Sequence, residues 1–443
     1  MPRTTRTAKD LFIASLLAAS LAACSGGDDA GDDSDGEDGT PSGEIQVFSW
    51  WTSPGEVDAL EALVDLQEEN YPDTRVRNLA EELADEARAR LAQLLADGTP
   101  PDLYQANIGA DEFRYVLFNG MDDSDSKVES LNDLMAEHGW LDVLPEAVVD
   151  TLSYRGTAYS VALNVHRINS LFYNKKIMEE EGLSVPETTD ELLVTAAALE
   201  DAGYTPLCIG SSDPWTLALL VFEAVFPAVA GPEYYTSYWT GRENPDSEQI
   251  DETLAYVSEL WPYFNADANS IDWTAGVDHM FDEEEPCVMT VMGDWAKGYL
   301  ATKGWVAGED FDQAPFPGSG GTFVFTSDSF LLPKGAPNRP AAVSFLETMM
   351  SLESQIEFNR LKGSIPVRTD VDPAAFDETT QRTMEEFQSD TLVVARSGLV
   401  PAEAFADLDD SLQSFVVDGD ADAVKNALVN DYATLETYPG NLD

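Results

Sequence analysis

The sequence predicts an α/β protein of two lobes. Strand-like and helix-like segments alternate from the start of the globular region, which implies a largely parallel sheet with helices packed on it. The chain beyond residue 43 is about 400 residues, more than one hydrophobic core usually organises. Apolar strands and amphipathic helices then recur to the C-terminus, so the second half has material for a second core.

Glu44 to Ser49 reads as the opening strand. Glu56 to Tyr71 follows as an amphipathic helix, with Val57, Leu60, Leu63 and Val64 on one face and Pro72 stopping it. Thr74 to Leu79 is a second strand. Ala84 to Ala96 is a helix with Leu91, Leu94 and Leu95 inward and Gly98 after its end. Pro100-Pro101 leads into the strand Asp102 to Gln105. Tyr159 to Tyr173 is a long strand-like run, followed by Lys175-Lys176 and a helix to Gly182. Helices are expected over Thr189–Asp201, Trp215–Ala228 and Ile250–Phe264. The strand Cys287–Met292 runs into Gly293-Asp294-Trp295. Thr322–Thr326 and Asp328–Pro333 are extended, Ala341–Leu361 is a helix, and the C-terminal third is again helical.

The first residues point to export. Arg3, Arg6 and Lys9 precede an apolar run, Leu11 to Ala19, too short to cross a bilayer and typical of a signal peptide. The run ends in Leu21-Ala22-Ala23-Cys24-Ser25-Gly26, which resembles the lipobox of bacterial and archaeal lipoproteins. That resemblance implies cleavage of residues 1–23, a lipid on Cys24, and tethering to the outer face of the cell membrane. Gly26 to Gly43 contains only Gly, Asp, Glu, Ser, Ala, Thr and Pro, so residues 24–43 read as an acidic, disordered spacer. The net charge is −58, from 82 acids against 24 Lys and Arg. Acid spread over the whole chain with few lysines suits a halophilic setting, where salt screens the repulsion. It also argues against nucleic acid as a partner. Cys208 and Cys287 either pair in an oxidising exterior or stay as buried thiols; their strand-like surroundings admit both.

In open α/β sheets ligands bind beyond the carboxyl ends of strands. Trp50-Trp51 stands directly after the first strand, with Glu56 opening the next helix. Indoles stack on the C–H faces of sugars, and carboxylates and amides hold hydroxyl groups. Gln105, Asn107 and Asp111 follow another strand. Asn164 and His166 lie where the chain passes between lobes. Asp294 and Trp295 pair a carboxylate with an indole after a strand, and Asp294 also suits a helix N-cap. Asp328 and Lys362 are further polar candidates. Trp239 and Trp273, like Trp215, are candidates for cleft walls, with core packing as the competing reading.

Five segments carry a family resemblance: Phe48-Ser49-Trp50-Trp51, Asn164-Val165-His166-Arg167, Met292-Gly293-Asp294-Trp295-Ala296, Asp328-Ser329-Phe330-Leu331-Leu332-Pro333-Lys334-Gly335 and Leu361-Lys362-Gly363-Ser364-Ile365-Pro366. In that order they resemble the family 1 extracellular solute-binding proteins of ABC importers, in their glucose-binding branch. The resemblance implies a periplasmic-binding-protein fold, with three crossovers near Leu163, Ala314 and Val367. The lobes are then 44–163 with 315–366, and 164–314 with 367–443. It implies stacking by Trp50 or Trp51 and hydroxyl contacts from Glu56, Gln105, His166 and Asp294, with Asp328 and Lys362 as additional contacts. Asn107 and Ser397-Gly398 stand where the family commonly has histidine and a His-Gly pair, which leaves the identity of the sugar open. The expected partners are a monosaccharide and the membrane-spanning subunits of a permease, the protein itself being a monomer without cofactor or metal.

An enzyme is the competing class. Glycoside hydrolysis needs two placed carboxylates, but 82 acids supply accidental pairs, so their abundance carries no information. The histidines are only His138, His166 and His279, and neither a Gly-x-Ser-x-Gly elbow nor a zinc-type histidine pair occurs. A phosphate ligand would favour cations, which are scarce around the loops named above.

Overall fold

A computed structural model describes residues 40–80, 84–116, 126–400 and 406–435. The expected leader, Cys24 and most of the acidic spacer lie outside these residues. Three principal sheets organise the rest. The first has the order Thr74–Asn78, Gly43–Phe48, Leu103–Asn107, Asp328–Leu331, Ser160–Ala162. Its first three strands are parallel and Asp328–Leu331 runs against both neighbours. The second has the order Phe311–Pro315, Ser170–Asn174, Cys287–Met292, Thr205–Cys208. The third joins Ile365–Pro366, Asn164–Arg167, Thr322–Thr326 and Thr391–Val394.

The run Tyr159–Tyr173, which reads as one strand in the sequence, is three short strands, Ser160–Ala162, Asn164–Arg167 and Ser170–Asn174, one in each sheet. Burial on every side hides the breaks: Asn164, His166, Arg167, Asn169 and Ser170 are as enclosed as their apolar neighbours, so no alternation with solvent marks the strand ends. The expected helix Ala341–Leu361 is likewise two, Arg339–Met349 and Leu352–Lys362, divided where the Ser351 hydroxyl accepts the Ser354 amide at 3.1 Å as an N-cap. Elsewhere the expected elements form with shifted ends. Pro54 opens the first helix, and Thr188 and Glu191 form a capping box.

Apolar side chains gather into two main cores. Ile45, Val47, Leu103, Val161, Phe330, Leu346 and Phe358 belong to the first, which covers one face of the first sheet. Leu171, Phe172, Leu207, Phe222, Val291, Leu300 and Phe311 belong to the second, built on the second sheet, and the helices Ala406–Asp418 and Ala421–Leu435 add Leu412, Phe415 and Leu428 to it. Chain membership changes between Val165 and Ile168, then over the strand Thr322–Thr326, where Phe323 and Phe325 face the first core and Val324 the second, then between Phe387 and Val393. The third change comes later than Val367 because Val367, Val371, Phe376 and Phe387 all pack in the first core. Three strands of the third sheet, Asn164–Arg167, Thr322–Thr326 and Thr391–Val394, lie at these changes, while Ile365–Pro366 belongs to the first core. Cys208 and Cys287, in neighbouring strands of the second sheet, form a disulfide with 5.9 Å between their α-carbons. Among the described residues no helix is long and apolar enough to cross a membrane.

Candidate functional site

His166 sits on the strand Asn164–Arg167 between two carboxylates that come from different cores. Asp294 follows the second-core strand Cys287–Met292 and opens the helix Trp295–Thr302, while Asp328 opens a strand of the first sheet. The three side chains are buried, at 2%, 0% and 4% exposure. His166 Nδ1 bonds Asp294 Oδ1, and its Nε2 lies 3.0 Å from Asp328 Oδ2. Burial alone would push the imidazole toward neutrality. The Asp294 charge and hydrogen bond, seconded by Asp328, overcome that and raise its pKa to about 9. His166 is thus an imidazolium at neutral pH, with both ring nitrogens donating. Asp328, although buried, is held well below the usual carboxylate range by Lys362 and His166.

The carboxylates are oriented by further donors. Gln105 Nε2 donates to Asp328 Oδ1 at 2.7 Å and Asn164 Nδ2 donates to Asp328 Oδ2 at 2.8 Å. The Arg167 amide donates to Asp294 Oδ2 at 2.9 Å. Gln105 also ties this group to the first indole, its Oε1 accepting the Trp50 amide at 3.3 Å. Lys362 Nζ donates to Glu56 Oε1 at 2.5 Å and stands 5.3 Å from the Trp51 ring centroid. The Ser53 hydroxyl donates to the other Glu56 oxygen at 2.8 Å. A buried group whose titration is shifted by a specific charged partner, as His166 and Asp328 are, is a candidate for a functional site.

Half-buried indoles border the group. Trp295 meets His166 edge-on at 5.3 Å and lies 6.0 Å from Trp215. The Trp295 ring folds over Gly293, where a Cβ would stand 2.2 Å from a ring atom, so only glycine admits this pose. Trp50 is half-buried, with the Arg88 guanidinium 5.0 Å from its centroid and Arg88 anchored to Asp111 at 3.0 Å.

The structure therefore brings Trp50, Glu56, Gln105, Asn164, His166, Asp294, Trp295, Asp328 and Lys362 into one connected group. Asn107 is half-buried on the same strand as Gln105 and faces Asp328 across the sheet register. Two candidates take core positions. Trp51 is 1% exposed, its ring 5.6 Å from Phe330 and 5.4 Å from Phe358. Trp239 is buried among Phe222, Phe226, Tyr235 and Tyr238, with ring centroids 5.0 to 6.3 Å away. Neither walls an open cleft. Trp273, half-buried, packs on Tyr299 at 5.3 Å. Two residues not singled out in the sequence join the network. Ser364 accepts from Asn164 Nδ2 at 3.3 Å, and Lys297, one turn beyond Asp294, is buried and donates to Asp377 at 2.6 Å. Ser364 lay inside a segment carrying the family resemblance; Lys297 had no signal of its own.

Comparison with known proteins places the chain. An uncharacterized ABC transporter extracellular-binding protein of Pyrococcus horikoshii is 29% identical over 397 residues, covering 87% of each chain. A probable sugar-binding periplasmic protein of Mesorhizobium japonicum is 30% identical, over 75% of this chain and 78% of that one. The xylose/arabinose-binding protein XacG of Haloferax volcanii is 26% identical, over 79% and 76%. Among solved structures, a bacterial solute receptor described as preferring β-D-galactopyranose superposes with a TM-score of 0.76 over 89% of this chain and 99% of that one. At 16% identity that likeness shows a shared fold, the two-lobed periplasmic-binding architecture. Residues 52–356, well over half of the sequence, match the family described as bacterial extracellular solute-binding protein, and the chain belongs to that family.

Proposed function

We propose that this protein is the receptor of an ABC-type sugar importer. It binds a small neutral sugar, with glucose the first candidate, between its lobes and presents it to a permease outside the cytoplasm. The single observation that supports the reading best is the convergence of acid and amide groups from both cores, bordered by half-buried indoles. Carboxylates, amides and aromatic faces are what polyol hydroxyls and C–H surfaces require. The names of the Mesorhizobium and Haloferax relatives point to sugars as well. The proposed contacts are Trp50, Glu56, Gln105, Asn107, Asn164, Asp294, Trp295, Asp328 and Lys362. We take the lobes to correspond to the two cores and the hinge to the three passages between them. Ligand that touches both lobes binds the closed form better, and shifts the open–closed equilibrium by that difference. The route to the membrane is export under the N-terminal leader and lipidation of Cys24, and the protein acts as a monomer.

Calorimetric titration of the full chain in multimolar salt with glucose, galactose, mannose, xylose and maltose tests this. One monosaccharide is expected to give saturable heat at micromolar concentrations. Saturable heat with none of the panel, or only with an organic anion such as glycerol phosphate, would overturn the sugar reading. The charge of −58 carries a second expectation: the melting temperature rises by ten degrees or more between about 0.1 M and 3 M potassium chloride, as screening shortens from about 10 Å to a few ångströms. Equal melting at both salts would count against a halophilic setting.

A further inference from the structure

We infer that Gly298, seated against Gly55 and the Leu361–Gly363 turn, is a positioning residue that sets the placement of Asp294 against His166 and Asp328. The inference deepens the ligand-binding reading above and rests on it only for the affinity arm of its test.

Gly298 lies one turn beyond Asp294 on the helix Trp295–Thr302, whose Ala296, Tyr299 and Leu300 pack in the second core. Its neighbours across the gap are first-core elements. The helix Pro54–Asn70 contributes Ala59, Leu60 and Leu63 to that core, and the helix Leu352–Lys362 contributes Phe358. Where these elements meet, they do so backbone to backbone. A Cβ on Gly298 would stand 2.3 Å from the Leu361 carbonyl oxygen and 2.7 Å from that of Lys362. A Cβ on Gly55 would stand 2.9 Å from the Gly298 carbonyl carbon and 3.2 Å from the Tyr299 nitrogen. Gly363, at φ +92°, completes the seat; a Cβ there would meet the Asp294 carbonyl oxygen at 2.5 Å. The atoms in the way are backbone, which has no rotamer to escape into, so a methyl group at Gly298 must displace the helix by about 1 Å.

That displacement reaches the site directly. Asp294 begins the same helix, and its partners are fixed elsewhere: His166 on a strand between the cores, and Asp328 by Gln105 and Asn164. The Glu56–Lys362 pair flanks the same seat, each residue adjacent to one of its glycines. Closely seated glycines therefore fix how near the second-core carboxylate comes to the first-core groups. Gly298 has an ordinary helical backbone, and alanine is the better helix former, so the substitution should not harm the second core itself.

The test uses Gly298→Ala and, from the facing side, the milder Gly55→Ala in the full chain. Gly320→Ala is the control, since nothing lies within 4 Å of a Cβ there and its φ is ordinary. Two readouts are taken: sugar affinity by calorimetry, and the titration of His166 by imidazole NMR, which is tractable with three histidines. In Gly298→Ala, affinity is expected to fall at least tenfold, and the His166 midpoint to drop from about 9 toward 6.5 as Asp294 withdraws. Gly55→Ala should move both readouts the same way by less, and the control should move neither. Wild-type affinity together with an unmoved His166 midpoint in both variants would overturn the inference. If Gly298→Ala fails to fold, Gly55→Ala decides it. If the wild type binds no sugar, the sugar reading falls, while the His166 midpoint still decides the placement of Asp294.

Discussion

Replacing His166 by alanine is expected to destabilise the protein by about 3–5 kcal/mol at neutral pH, the usual cost of leaving buried charge without its partner. The imidazolium stands between Asp294 and Asp328, and both carboxylates are buried. Its removal leaves two buried like charges facing each other. Lys362 still serves Asp328, while Lys297 is engaged by Asp377. The pH dependence separates this account from simple loss of packing. In the wild type the His166 pKa is raised from 6.5 to about 9 on folding. Its contribution is therefore complete below about 6.5 and is lost as pH rises through about 9. In His166→Ala, Asp328 loses one of the groups that hold its carboxyl low and uptake of a proton becomes easier, so the variant gains on the wild type as pH falls. Thermal melts from pH 5 to 10 at fixed high salt should show the gap between the two proteins narrowing at both ends. A constant gap, or equal melting at pH 7, would mean that His166 is an ordinary core residue.

Much of this site was legible because its chemistry is attached to strand ends. Glu56, Asn164, Asp294 and Asp328 follow or open extended segments visible in the sequence, and Gln105 lies within one, two residues from its end; strand ends are where α/β folds place ligands. What the sequence left open was direction. Trp50 and Trp51 are adjacent and must point apart, but which one turns inward depends on Phe330 and Phe358, residues far along the chain. Trp239 looked equally available until the helix Pro232–Trp239 folded onto Phe222 and Phe226. The breaks within Tyr159–Tyr173 were invisible for a related reason: a segment buried in three successive sheets has no solvent-facing side whose alternation could mark its ends. The pairing of Cys208 with Cys287 depended on two strands becoming neighbours in parallel, which local pattern does not encode. Gly298 carried no signal at all, since a helical glycine acquires meaning only from the backbone that faces it.

The two adjacent indoles should separate cleanly when each is truncated. Trp51→Ala is expected to cost about 3–5 kcal/mol of stability, the range for emptying a large aromatic site in a packed core. The ring touches Phe330 and Phe358 and lies under the Lys362 ammonium, so its loss loosens the support of Lys362 and Glu56 as well. Trp50→Ala should leave the melting temperature within about two degrees, because the ring is half-buried and contributes less to the core. Its effect should fall on ligand. The indole is steadied by Arg88, itself held by Asp111, so the platform is ordered before any sugar arrives. An ordered aromatic face costs little entropy to use. Its removal should weaken sugar binding at least tenfold, about 1.4 kcal/mol. Melting curves and calorimetry on both variants check the assignment together. A Trp50 variant that binds sugar normally, beside a stable Trp51 variant that does not, would reverse the two roles and move the stacking surface to the inner indole.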